Sequence, residues 1–235
     1  MMSLACWMVL ASLQPADSSV VLRGLLAADE NSQWVLALPQ PMSFQGRRVG
    51  RIALRGDANR WSRYDRFYVE ARGTLVAEQD TLQLPYLNLT AVKEVQPEGM
   101  ARGEVATSFS QRVAMTLYVL PRSFRWRNND GSVTGVGPVV VYTLNNHGQS
   151  RLTLGFDSRD YVCFQVQKQY GSQVWEFARQ FAQPNSQQEV TLPPFVREMV
   201  ELPENAASTP GKYRVRAGLC GYREYQLEAE IDVLG

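Results

Sequence analysis

Histidine is almost absent from this chain: its 235 residues contain one, His147, beside three cysteines. A multi-histidine metal centre is therefore excluded, and a histidine-based triad would have to rest on that one residue. Charge of one sign is missing too, since 24 Lys and Arg stand against 23 Asp and Glu, a formal net charge of +1. Without a positive field nothing would hold a phosphate backbone, so nucleic acid is not expected as a principal partner. Without an acidic excess the chain has no reason to stay unfolded. Catalytic signatures are also lacking: no Gly-x-Ser-x-Gly elbow, phosphate-binding loop, HExxH helix or CxxC pair occurs. No catalytic residue, metal ligand or cofactor is assigned, and the reading is of a non-enzymatic protein.

One apolar run stands out, Leu4 to Leu13, of signal-peptide length and too short to span a bilayer. Ala16-Asp17-Ser18 offers a small-x-small cleavage pattern behind it, although no Lys or Arg precedes Arg23. Residues 1–19 are therefore expected to direct export or, with Cys6 acylated, to anchor a lipoprotein. The alternative is a hydrophobic first strand or tail on a cytoplasmic protein. No later segment has the length to cross a membrane.

What the sequence does hold is short alternating runs rich in Val, Tyr, Thr and Trp, which suit strands better than helices. Five lie between Val20 and Val95: Val20–Leu26, Trp34–Leu38, Val49–Leu54, Phe67–Leu75 and Leu87–Val92. Pro39-Gln40-Pro41 reads as a turn, and Asn59–Tyr64 as a short helix or turn between the third and fourth runs, with Trp34 and Trp61 as packing residues. Val95–Gly103 carries the Pro, Gly and charge of a boundary, so the expected domains are 20–98 and 104–235. In the second, Val113–Val119, Val139–Leu144, Leu152–Leu154, Val162–Val166 and Lys212–Leu219 read as strands. Asn145-Asn146-His147-Gly148 is expected to join two of them as a hairpin. Phe124 and Trp126 are expected to pack beneath the sheet.

Strand phase places Val162, Phe164 and Val166 on a core face and Cys163 on the other. It does the same for Tyr213, Val215, Ala217 and Leu219 against Cys220. A Cys163–Cys220 disulfide and two inert free thiols are both compatible with that phase, which does not fix the separation a bridge needs.

The first five runs, through Leu22-x-Gly24, Trp34-x-Leu36-x-Leu38-Pro39 and Val69-x-Ala71-x-Gly73, resemble small bacterial OB-fold domains. That resemblance implies a five-stranded barrel with oligosaccharide binding as one use of its sheet face. From about Gly135 onward the chain resembles the BsuPI-type intracellular proteinase inhibitor domain. The resemblance is carried by Asn145-Asn146, Leu152-x-Leu154-x-Phe156, Asp160-Tyr161, Phe164-x-Val166, Val174-Trp175 and Pro210-Gly211-Lys212-Tyr213. Arg159 and Asp160 depart from the family's usual glycine and glutamine. The resemblance implies an Ig-like β-sandwich, with Val174 and Trp175 in its core, and inhibition of a subtilisin-like serine proteinase as the founding activity.

The expected fold is thus all-β, an OB-like barrel followed by an Ig-like sandwich. The expected function is binding of a protein or glycan by a non-enzymatic exported module, with proteinase inhibition as the alternative. For a protein partner the candidate contact is the connection Pro193–Pro210, in particular Pro194, Phe195, Val196 and Arg197, because prolines lower the entropy lost when an extended segment docks.

Overall fold

Alternating runs of this kind bury one face and leave the other to solvent or to a second layer. The computed structural model of the protein describes residues 19–28, 32–77, 84–108, 111–126, 137–157, 161–171, 174–177 and 188–235, and it is all-β with several sheets. The only helical pieces among the described residues are four three-residue 3-10 turns.

The first strands are β1 (Ser19–Ala28), β2 (Trp34–Phe44), β3 (Arg47–Arg55), β4 (Tyr68–Val76) and β5 (Tyr86–Glu94). Pairing runs β1-β2-β3-β5-β4 and returns from β4 to β1, with β3 and β5 parallel and every other pair antiparallel. β1 serves both ends of that order: residues Ser19–Leu25 pair with β4, and Leu25–Ala28 with β2. The change of partner needs Gly24, because a Cβ there would lie 2.4 Å from the Ala37 carbonyl oxygen. Leu26, Leu36, Ile52, Val69, Ala71 and Leu87 close over a core of their own, plugged by Trp61 from the 3-10 turns.

Eleven further strands follow: β6 (Ala101–Ser108), β7 (Gln111–Leu120), β8 (Ser123–Phe124), β9 (Val139–Asn146), β10 (Thr153–Phe156), β11 (Val162–Lys168), β12 (Val174–Phe177), β13 (Gln188–Thr191), β14 (Phe195–Glu201), β15 (Gly211–Leu219) and β16 (Gln226–Val233). They form a four-stranded sheet in the order β14-β9-β7-β6, a five-stranded sheet β12-β11-β15-β16-β8, and the pair β10-β13. The two larger sheets share one core. Val113, Met115, Leu117, Val140, Tyr142 and Leu144 meet Val162, Phe164, Val166, Val215, Leu219 and Ile231 across it. Tyr142 is fully buried, and its hydroxyl donates to the Tyr225 carbonyl at 2.8 Å, so the one polar atom of this large side chain is satisfied.

Several expectations change. Pro39–Pro41 is no turn: β2 runs on to Phe44, and only its pairing with β3 is interrupted between Ala37 and Met42, because prolines give the ladder no N–H. Strand β6 begins at Ala101, inside the Val95–Gly103 segment where the sequence shows no apolar alternation. Asn145–Gly148 turns the chain, with the Asn146 side chain accepting from Gly148 N at 3.0 Å and donating to Ser150 O at 2.9 Å, yet it makes no hairpin. β9 pairs with β7 and β14, whereas β10 pairs with β13, so the turn carries the chain between sheets. Trp175, expected in the sandwich core, packs against it from the edge strand β12, half-buried and stacked on Phe177 with centroids 6.1 Å apart. The Val174 side chain, the apolar run of residues 4–13 and Cys6 lie outside what the structure describes.

Candidate functional site

A strand buried on one face alternates; β9 does not. Val139 to Leu144 are six consecutive buried residues. Val140, Tyr142 and Leu144 enter the core between the two sheets, while Val139 and Val141 face the N-terminal strands. With Leu25, Tyr68, Tyr118 and Leu120 they form an apolar seam between β1–β5 and the outer face of the four-stranded sheet. Arg51 faces Glu201 across it at 3.6 Å, an exposed pair worth about 0–1 kcal/mol. The seam is held by its apolar contacts.

At each end the seam opens into a cavity. Beyond Leu120 and Val139 lies a cleft of about 390 Å³. One wall comes from Leu25, Ala37, Leu38 and Pro41, the other from Leu120, Phe124, Val139 and Leu234, with Arg48 and Arg125 adding positive charge. Its shape follows from sequence. Proline breaks the β2–β3 ladder at this point, and opposite the break stands Gly50, where an added Cβ would meet nothing nearer than Pro41 at 3.8 Å. Size and lining match small-molecule pockets, which are mostly apolar with a few polar groups that fix orientation.

The other cavity, of about 240 Å³, lies past Tyr118 toward Asn145 and is the more polar of the two, with Val95, Met100 and Ala114 among its apolar lining. Thr116 and Thr143 hydroxyls are 2.5 Å apart on neighbouring strands. Tyr68, Asn145 and His147 line it with them, and Arg197 lies on its wall over the Phe67 ring at 3.3 Å. Burial pushes the Tyr118 hydroxyl up to about 12, with Arg197 lowering it and Glu94 and Tyr68 raising it. Tyr118 therefore keeps its proton in the folded protein after the unfolded chain has lost its own near pH 10. Any stability it contributes is complete below pH 10 and falls between pH 10 and 12, by on the order of 3 kcal/mol. Urea unfolding at pH 9 and pH 11.5 should show that fall, and Tyr118→Phe should reduce it.

The candidate protein-binding residues are not where a loop would put them. Phe195–Glu201 is β14, paired with β9 from Phe195↔Asn145 to Glu201↔Val139. Pro194 ends the loop, and the residues after it alternate: Val196, 2% exposed, and Val200 point into the core, while Arg197 and Met199 face the seam. Phe195 alone of the four is a large exposed apolar side chain, at 43%. Behind the two prolines Val196 and Val200 carry the two-residue period of a strand, with Glu198 between them on the same face. Of the two aromatics expected beneath the sheet, Phe124 is buried and Trp126 packs edge-on against it at 5.1 Å, with the indole N–H donating to Ala207 O at 2.6 Å; residues 127–136 lie outside the described set.

Cys163 and Cys220 form a disulfide, with Cα atoms 5.2 Å apart. Cys163 stands opposite Gly218, and Cys220 follows β15, its N–H donating to Tyr161 O at 3.0 Å, so the bridge crosses diagonally between neighbouring strands.

Comparison with known proteins returns no matching family model and no matching curated protein.

Proposed function

We propose that the protein is a non-enzymatic, exported binding protein. In this reading an OB-like barrel, β1–β5, and an Ig-like sandwich, β6–β16, clasp an elongated apolar ligand with one anionic group in the cleft beyond Leu120 and Val139. The observation that carries it is that cleft: an apolar space between two layers with separate cores, floored by Gly50 and flanked by Arg48 and Arg125. A ligand there buries apolar surface on both walls, at about 25 cal/mol per Å², while a guanidinium meets the head group. The return of the β1–β5 pairing order to its start supports the barrel. The disulfide supports an oxidising compartment, because thiols stay reduced in the cytosol. Proteinase inhibition, the alternative, loses the support it drew from 193–210 as a free loop, since β14 takes residues 195–201, Phe195, Val196 and Arg197 among them.

Gly50 supplies the test. Gly50→Phe sets a Cβ that meets nothing nearer than Pro41 at 3.8 Å, adds a ring at the cleft floor and places a good strand former in β3. Anilinonaphthalene sulfonate fluorescence, with dodecanoate as competitor, should report saturable binding to the wild type that weakens about tenfold or more in Gly50→Phe, a loss of about 1.4 kcal/mol or more, at unchanged melting temperature. Wild-type binding retained in a folded Gly50→Phe would remove the cleft from the function.

A further inference from the structure

We infer that the smaller cavity, at the Asn145 end of the seam, is a second binding site, for a carboxylate, with Arg197 as its anchor. The guanidinium lies over the Phe67 ring at 3.3 Å and 5.1 Å from the Phe195 ring centre, which strips water from its faces. Its hydrogen bonding is not restored in exchange. One terminal nitrogen donates to Arg66 O at a long 3.4 Å, the buried Nε has no acceptor, and no carboxylate lies within 4.0 Å of the guanidinium among the described residues. A guanidinium carries five N–H donors, and burying such a cation without a counter-ion is costly. Desolvation lowers its proton affinity, and Tyr118, Glu94 and Asp65, none of them in an ion pair with it, offset that only in part.

The rest of the cavity suits an oxyanion of single charge. Thr116, Tyr118 and Asn145 line it, and the Thr116–Thr143 hydroxyl pair has one hydrogen left to donate after its mutual bond. Exposed Glu94 at the margin repels a dianion such as phosphate and tolerates a carboxylate, the more so one whose molecule also carries an ammonium group. A volume of about 240 Å³ holds a carboxylate and one small side chain. The free end of a peptide and a small carboxylic acid share that chemistry.

Calorimetric titration of the full chain with trialanine, its C-terminal amide and N-acetylalanine, up to about 10 mM, tests the assignment. Binding of both acids without binding of the amide indicates a carboxylate site open to either source, and trialanine alone indicates a chain end. Arg197→Met, which keeps a long apolar side chain beside Phe67 without the guanidinium, should weaken binding about tenfold or more, and Arg197→Lys should restore only part, because an ammonium lacks the planar fork. Thr116→Val, which removes a hydroxyl at nearly constant volume, guards against a folding artefact and should weaken binding several-fold. Gly50→Phe should bind these acids as the wild type does, so failure here and failure of the apolar cleft are told apart. Equal binding of amide and acid, no binding of either acid, or wild-type affinity in folded Arg197→Met would each overturn the inference.

Discussion

Replacing Cys163 and Cys220 together by serine is expected to remove roughly 2–4 kcal/mol of stability. The bridge closes a loop of 57 residues, and the chain-entropy account assigns such a loop about 4 kcal/mol by restricting the unfolded state. The lower part of the range allows for residual order in a denatured ensemble where β11 and β15 are neighbours. In urea the midpoint of the double variant should fall, and a reductant should lower the wild type by the same amount while leaving the variant unmoved. Equal midpoints for oxidised wild type and variant would mean that the bridge contributes nothing.

Val141→Lys should part the two layers. Val141 is 0% exposed, opposite Tyr118 on β7 and Met199 on β14, and it faces the seam, not the core between the sheets. An ammonium there loses its water and gains no partner, costing about 3–5 kcal/mol unless the side chain reaches the surface by opening the seam. Both layers keep their own cores, so a heating scan should divide into two transitions, and binding in the apolar cleft should vanish. Val140→Lys is the contrast: one residue earlier, it enters the core between the sheets and should unfold the sandwich itself. A single transition at the wild-type temperature in Val141→Lys would show that the seam is not a cooperative contact.

Strands were the legible part of this sequence, and partners were not. The five N-terminal runs are short, apolar-rich and bounded by polar residues, and β1–β5 lie on them, although Leu25-Leu26 and Ile52-Ala53-Leu54 are buried without alternation. β14 carries a strand signal in Val196 and Val200, hidden behind Pro193-Pro194, which reads as loop chemistry. Asn145–Gly148 is legible as a turn, but no local residue states whether the next strand joins the same sheet. The cysteine phase is legible too, whereas a distance between β11 and the end of β15 is a fact of tertiary packing. The seam is the least legible feature. Leu25, Tyr68, Tyr118, Val141 and Met199 come from five separate strands, each on the side a strand ordinarily gives to solvent. Arg197 is likewise ordinary in sequence and acquires meaning only beside Phe67, some 130 residues earlier.

β9 also bears on how the chain is made. Val-Val-Val-Tyr-Thr-Leu has no charge, proline or glycine, the composition of segments that stack between molecules when left uncovered. Synthesis runs from the N-terminus, so β1–β5 and β7 leave the ribosome ahead of β9. The surface that receives Val139 and Val141, and the strand that pairs with one of β9's edges, are thus present when β9 emerges. Its other edge waits about 50 residues for β14, which at usual elongation rates is an interval of several seconds.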